Sequence, residues 1–216
     1  DTIKKKDWIN YINSFQVLDS KFPKGSFVDP SYIDYFNKKN IKNNYKWQMK
    51  DLLSNLNIYK GETSKQYLSK SIIAETKQAM SSILQVGGNY EYEYLNPSFS
   101  KSQISEYLLS LNWNNPWDSG AQFANTAFFI SISNEETQNQ RLYLYDYISS
   151  LASNVDGTYG IGKYRNSNEL INGSMKVLTG LDWLNQEIHY PDRLIDSSLK
   201  IDPSREGCDL VDVVYV

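Results

Sequence analysis

Cysteine and histidine each occur once in this chain, and each scarcity removes a class of chemistry. A single cysteine, Cys208, cannot build a disulfide framework or a multi-cysteine zinc site. A single histidine, His189, rules out the two-histidine zinc motifs and leaves Cys208 with His189 as the sole Cys/His pair. Long apolar runs are missing too: nothing approaches the ~18–20 consecutive apolar residues of a membrane-spanning helix. No basic start followed by an apolar stretch marks a secretory leader, so the expected compartment is cytoplasmic rather than secreted. Positive charge is also unclustered. The net charge is −3, and the run Lys4-Lys5-Lys6 is too short to make a nucleic-acid surface.

What is present is aromatic and polar. There are 17 Tyr and 5 Trp among 216 residues also rich in Asn, Ser and Lys. Flat amphipathic rings among amides suit sugars or other ring-bearing ligands. The length fits one helical domain over 1–216. The chain opens on Asp1 and closes on the apolar run Val213-Val214-Tyr215-Val216, so it reads as a piece of a longer chain that could carry other domains.

The spacing predicts helices nearly throughout. Trp8, Tyr11 or Ile12, and Phe15 set a first one, and Pro30 opens a short second over 30–36. Trp47, Leu52, Leu53 and Leu56 mark a third. The clearest amphipathic pattern runs over 63–85, with Ile72, Ile73, Thr76, Met80, Ile83 and Leu84 on one face and Gly87-Gly88 as its stop. The segment 89–95 alternates like a strand but lacks a partner, which favours an extended loop. Further helices are expected over 100–111, 117–131, 135–152, 173–183, 191–199 and from 206 onward. The expected class is all-α.

Three predicted helix starts look alike: Gly120-Ala121-Gln122, Gly173-Ser174-Met175-Lys176 and Gly207-Cys208-Asp209. Each follows a polar or aromatic loop and is apolar except for one stripe. The stripes are Gln122 with Asn125, Asn172 with Lys176 and Thr179, and Asp209 with Asp212, at spacings that share a helix face. A polar line on a buried helix suits the wall of a wet cavity. Alternation of such helices with amphipathic ones predicts an α/α toroid, complete or partial, with paired antiparallel outer and inner helices around a central cavity. A helical bundle in which small residues allow close packing is the competing architecture.

FPKGSFVDP and DGTYGIG, the latter followed by an inner helix, resemble the loop-then-helix units of terpenoid-cyclase and prenyltransferase-like α/α toroids. PWDSGAQFANTAFFI is similar in style to the aromatic-acidic loops of toroid polysaccharide lyases and glycosidases. The resemblance implies the fold. It departs from those families in lacking an Asp-x-Asp-Asp motif, complete Gln-Trp repeats, and the Asp-x-Cys…His zinc order, since His189 precedes Cys208.

The resulting expectation is a saccharide-binding or carbohydrate-active protein with an aromatic-acidic cavity. Asp118 and Asp156 are the candidate acid and base of a glycoside hydrolase or lyase-like reaction, with Lys176 and Asp209 as electrostatic partners. Trp113, Trp117, Tyr159 and Tyr164 would form a stacking wall, with Gln122, Asn172 and Asp212 as polar ligand contacts. Each has a plainer role available: Asp118 as a helix cap, Asp212 as a partner for Lys176, the aromatics as core. Cys208 at a helix start could be activated by His189, or could be a small buried residue. Asp209 and Asp212 without a histidine make an incomplete metal set, so neither metal nor cofactor is implied. Asn172-Gly173-Ser174 matches a glycosylation acceptor that burial at a helix start would silence. The alternatives are an isoprenoid or lipid-type ligand, with aromatics stabilising a cation, and a non-catalytic module of a larger protein.

Overall fold

The computed structural model describes residues 2–16, 25–27, 70–89, 100–133, 137–161, 167–202 and 208–216. The helices expected over 30–36 and 43–56 and the extended segment 90–95 lie outside them. Among the described residues every regular element is an α-helix, and the only β features are two isolated antiparallel bridges, Gln16 with Phe27 and Ala152 with Tyr159. The chain forms two compact units, Asp1–Asn96 and Pro97–Val216.

In the first unit, α1 (Thr2–Asn13) and α2 (Lys70–Gln85) are the described helices. The α2 pattern works as its spacing predicts: Thr76, Met80 and Ile83 are buried. Thr76 also anchors the chain at Phe27, whose N–H donates to its Oγ1 at 3.1 Å. On α1 Trp8 and Tyr11, whose spacing with Phe15 predicts the helix, are exposed and meet edge to face. Ile9 packs inward, so close to Gly88 that a methyl there would lie 2.7 Å from its Cδ1.

The second unit holds α3 (Lys101–Leu109), α4 (Pro116–Ile132), α5 (Gln138–Ser149), α6 (Ser167–Leu184), α7 (Pro191–Ser198) and α8 (Cys208–Tyr215). Asn115 caps α4 by accepting from the Asp118 N–H, and Pro116 occupies the first turn, where a missing N–H costs nothing. The far end of α4 is tied to α5. The Thr137 hydroxyl donates to the Ile130 carbonyl at 3.0 Å, and Arg141 Nη2 donates to that of Ser131 at 2.8 Å. Both satisfy carbonyls that a helix end leaves without intrahelical donors.

The centre of the unit is the seam between α4 and α6, both buried along most of their length. Glycine makes the seam possible. A methyl on Gly173 would sit 2.7 Å from Pro116 Cβ, and one on Gly120 would sit 2.6 Å from the Gly173 carbonyl oxygen. One helical face further along, a methyl on Gly180 would meet the Phe123 ring at 2.7 Å. This corrects the reading of Gly120 and Gly173 as helix starts: α4 begins at Pro116 and α6 at Ser167, so both glycines are interior. Interior glycine costs about 1 kcal/mol of helix propensity, which close backbone packing offsets.

Around the seam, Ile104 and Leu108 of α3, Leu144 and Ile148 of α5 and Leu194 of α7 close one core. Burial of each such side chain contributes ~1.5–3 kcal/mol. α8 packs against α6, with Asp212 buried and Val213, together with Val216 just beyond the helix, against the core, while Leu210, Val211 and Val214 are exposed.

Candidate functional site

The residues expected to line one cavity are distributed over several places. At about 100° per residue, Gln122 is turned about 200° from Gly120, away from α6. Its Oε1 accepts from Tyr107 Oη of α3 at 2.6 Å. Asn125 is buried on the same side, and its Nδ2 has no partner among the described residues. On α6, Asn172 is buried, whereas Lys176 and Thr179 are half-buried, and the Thr179 hydroxyl turns back onto the Lys176 carbonyl at 2.7 Å. Lys176 makes no ion pair among the described residues. Burial of Asn172 agrees with its acceptor sequon being inaccessible. Asp212 is buried on α8, while Tyr164 and the side chains of Cys208 and Asp209 lie outside the described residues. The stripes of α4 and α6 therefore do not converge.

The aromatic wall divides in the same way. Trp113 is core, 4% exposed, with its Nε1 donating to Tyr147 Oη at 2.7 Å. That hydroxyl donates in turn to the Leu108 carbonyl, so burial of the ring leaves no polar atom unmet. Tyr159 is fully buried. Trp117 is the exception at 40% exposed. It sits on the first turn of α4 beside half-buried Asp118, in a stretch where Asn112, Asn114 and Asn115 all face outward. The stretch is pinned: Asn112 Oδ1 accepts from the Asn114 N–H at 3.2 Å, and the Ser119 N–H donates to the Asn115 carbonyl at 3.1 Å. Asp118 is the third residue of the helix, where its charge favours the helix dipole; the cap itself is Asn115.

Asp156 organises a turn. Its Oδ1 accepts from the Thr158 N–H at 3.1 Å and the Thr158 hydroxyl at 2.8 Å, and its carbonyl accepts from Ser197 of α7 at 2.8 Å. Partial burial pushes its carboxyl upward, but hydrogen bonds from Ser153 and Thr158 outweigh this and hold it below the ordinary value of 3.8. Gly157, at φ +76, brings the turn against Leu194.

A second polar cluster surrounds His189, on the segment between α6 and α7. Its Nε2 lies 2.6 Å from Ser149 Oγ, its Nδ1 lies 3.2 Å from Tyr159 Oη, and its ring stacks on Tyr145 at 4.9 Å. The His189 N–H donates to Tyr159 Oη at 3.1 Å. Burial lowers the imidazole below its ordinary 6.5, and burial raises the Tyr159 phenol to about 12. Sequence reasoning missed Ser149 and Tyr145. They lie 40 and 44 positions from His189, and no spacing rule joins residues so far apart.

No protein-family model matches the chain, and neither does any curated protein or solved structure.

A Ser–His–Tyr set invites comparison with nucleophilic triads, but the proton inventory opposes it. The Ser149 hydroxyl has the Tyr145 carbonyl as an acceptor at 2.7 Å. The buried Tyr159 hydroxyl takes the His189 N–H and has Nδ1 as the acceptor for its own hydrogen, an arrangement that puts the imidazole proton on Nε2, facing Ser149. A general base needs that nitrogen unprotonated. Among the described residues no three His, Cys, Asp or Glu side chains are placed to hold a metal ion, and no helix is long and apolar enough to cross a membrane.

Proposed function

We propose that the second unit is a saccharide-binding module that recognises its ligand on the surface of 112–118. The observation that carries this is Trp117: of the three tryptophans in the unit it is the exposed one, and three outward asparagines accompany it. An indole face accepts the C–H face of a pyranose, while amides pair with its hydroxyls in both donor and acceptor senses. The turn is fixed before any ligand arrives, by Pro116, the Asn115 cap and the Asn112 side chain. Pre-organisation of this kind reduces the ordering cost of binding. Asp118 contributes charge at the edge of the patch.

The finer architecture proposed is a partial α/α arrangement. What supports it is the contrast between α4 and α6, buried along most of their length, and α3, α5, α7 and α8, each with one exposed face. Binding through Trp117 does not require a closed ring of helices or turnover of the sugar.

The test is a glycan panel titrated against the intact chain, with tryptophan fluorescence and calorimetry as readouts. Trp117→Ala should remove binding at a stability cost of about 1–2 kcal/mol, since the indole is 40% exposed and the rest of it is covered. Retained affinity in that variant, or a wild-type protein that binds no member of the panel, would overturn the proposal.

A further inference from the structure

The corner around His189 holds α5, the segment 151–161 and α7 together through one proton arrangement. Tyr159 Oη accepts the His189 N–H and lies 3.2 Å from Nδ1, the acceptor within reach of its own hydrogen. Ser149 Oγ lies 2.6 Å from Nε2 and has the Tyr145 carbonyl at 2.7 Å for its hydrogen. With the imidazole neutral and its proton on Nε2, Ser149 Oγ, both ring nitrogens and Tyr159 Oη each have a partner. A second proton would go onto Nδ1, which already faces the Tyr159 hydroxyl. That hydroxyl would then receive two N–H groups, and its own hydrogen would have no acceptor among the described residues, in a side chain with no exposure. An unmet buried donor beside a half-buried cation is unfavourable on both counts.

A second, independent feature lies one residue on. Tyr190 is in the left-handed region at φ 49 and ψ 51, directly before Pro191. A bulky residue there is an outlier, and proline disfavours helical backbone in the residue before it. Such a conformation persists only where neighbouring contacts enforce it. The neighbours that can do so are the His189 contacts on one side and, on α7, Leu194 against Gly157 and Ser197 against the Asp156 carbonyl. Asn185, the other non-glycine residue with positive φ among the described residues, needs no such enforcement. It ends α6 with the paired bonds from Asn185 N–H to Asp182 and from Gln186 N–H to Leu181 that helices commonly use.

We propose that this corner is an acid-opened latch: protonation of His189 breaks its contact with Tyr159, and the strained Tyr190 backbone relaxes, freeing 186–199 from α5 and the 151–161 segment. The groups facing the imidazole are Tyr145 and Ser149 from α5 and Tyr159 from 151–161; among the described residues no carboxylate or cation touches it, and Glu187 and Tyr190 are the titratable neighbours on its own segment. Without a carboxylate to hold the imidazolium in place, a charged ring gains by reaching water. The neutral state is favoured in the folded corner, so the latch is closed above the ordinary histidine range and opens as pH falls through the depressed value of the folded ring. Asp156, held below 3.8, keeps its charge across that interval.

Because the chain has one histidine, imidazole 15N shifts report this ring alone. The intact protein, labelled at histidine, is followed from pH 8 to 5 together with amide exchange protection corrected for intrinsic rates. The expected result is an Nε2–H tautomer at pH 8, titration below 6.5, and a loss of protection over 186–199 that tracks ring protonation while α4 and α6 stay protected. In His189→Asn, whose amide oxygen takes the acceptor position of Nδ1 and cannot be protonated, that acid-dependent loss disappears. An Nδ1–H tautomer, or protection over 186–199 that ignores the ring's titration, overturns the latch on wild-type protein alone. So does the same acid opening in His189→Asn.

Discussion

The α4–α6 seam and the His189 corner lie in one compact unit, yet they are held by different physics. In the seam, Gly120, Gly173 and Gly180 are absent side chains, and attraction comes from backbone and ring surfaces brought within van der Waals reach. Steric fit dominates there, and fit does not depend on pH. In the corner, Ser149, Tyr159 and His189 trade hydrogen bonds that have one correct proton count. The seam should tolerate acid and no added atoms. The corner should tolerate small changes of shape and no change of protonation.

The largest effects are expected from added methyl groups, graded by what each meets. Gly157→Ala combines a positive φ of +76 with a methyl 2.4 Å from the Leu194 backbone nitrogen, so about 3 kcal/mol or more should be lost. Gly173→Ala has ordinary helical backbone but meets Pro116 backbone and ring atoms at 2.7 Å, and should cost about 2–3 kcal/mol. Gly180→Ala meets the edge of the Phe123 ring, which can shift, and should cost about 1 kcal/mol net of its better helix propensity. Urea denaturation of the three variants gives the order. A Gly173→Ala protein as stable as wild type would show that the seam is looser than its geometry.

Much of this architecture was legible beforehand, and the exceptions have physical causes. Periodicity located α2 and its buried Thr76, Met80 and Ile83, because an amphipathic helix writes its buried face into its own spacing. It failed at the start of α6. Asn172, Gly173 and Ser174 are poor helix formers and read as a loop ending, whereas the helix begins at Ser167 and carries all three in its interior. The reason for Gly173, the approach of Pro116, belongs to another helix, and Ser174 serves the Tyr159 N–H of a distant loop. Trp113 and Tyr159 were assigned to a binding wall because loop residues commonly carry function. Both loops instead turn their ring into the core, where Tyr147 and His189 supply polar partners. Trp117, four residues from Trp113, has the same local signature and the opposite fate. Trp117 stands on the first turn of α4 and Trp113 in the turn before it, so no common period relates them, and a loop has none from which to read its buried side.

A medium effect separates the corner's hydrogen bonds from its packing. Tyr159→Phe keeps the buried ring but deprives His189 Nδ1 and the His189 N–H of their partner, for an expected loss of about 1–3 kcal/mol. It also removes an alkaline response. The wild-type phenol is raised from 10.0 to about 12 in the fold, so the stability it contributes is complete below pH 10 and lost as pH rises through 12. The span of that loss is about 2–3 kcal/mol at roughly 1.4 kcal/mol per unit. Chemical denaturation at pH 9 and pH 11 should show a smaller decline in Tyr159→Phe than in wild type. Equal declines would place the alkaline response in other tyrosines.

The smallest effect is expected at Asp156, and it tests whether the corner has one acid response or two. The folded carboxyl titrates below its ordinary 3.8, so its contribution is present above that value and fades as pH falls through the folded one. Asp156→Asn keeps an oxygen for the Thr158 N–H and hydroxyl, and the Asp156 carbonyl that receives Ser197 is unchanged. Stability near neutrality should move by less than about 1 kcal/mol, since the group is largely solvated and its field is screened. Denaturation midpoints at pH 5 and pH 3 should converge in the variant relative to wild type, while any change between pH 7 and pH 5 stays as it was. That interval belongs to His189. A variant in which both intervals flatten would mean that the turn at Asp156 and the ring at His189 titrate as one unit, and the separation between them would have to be given up.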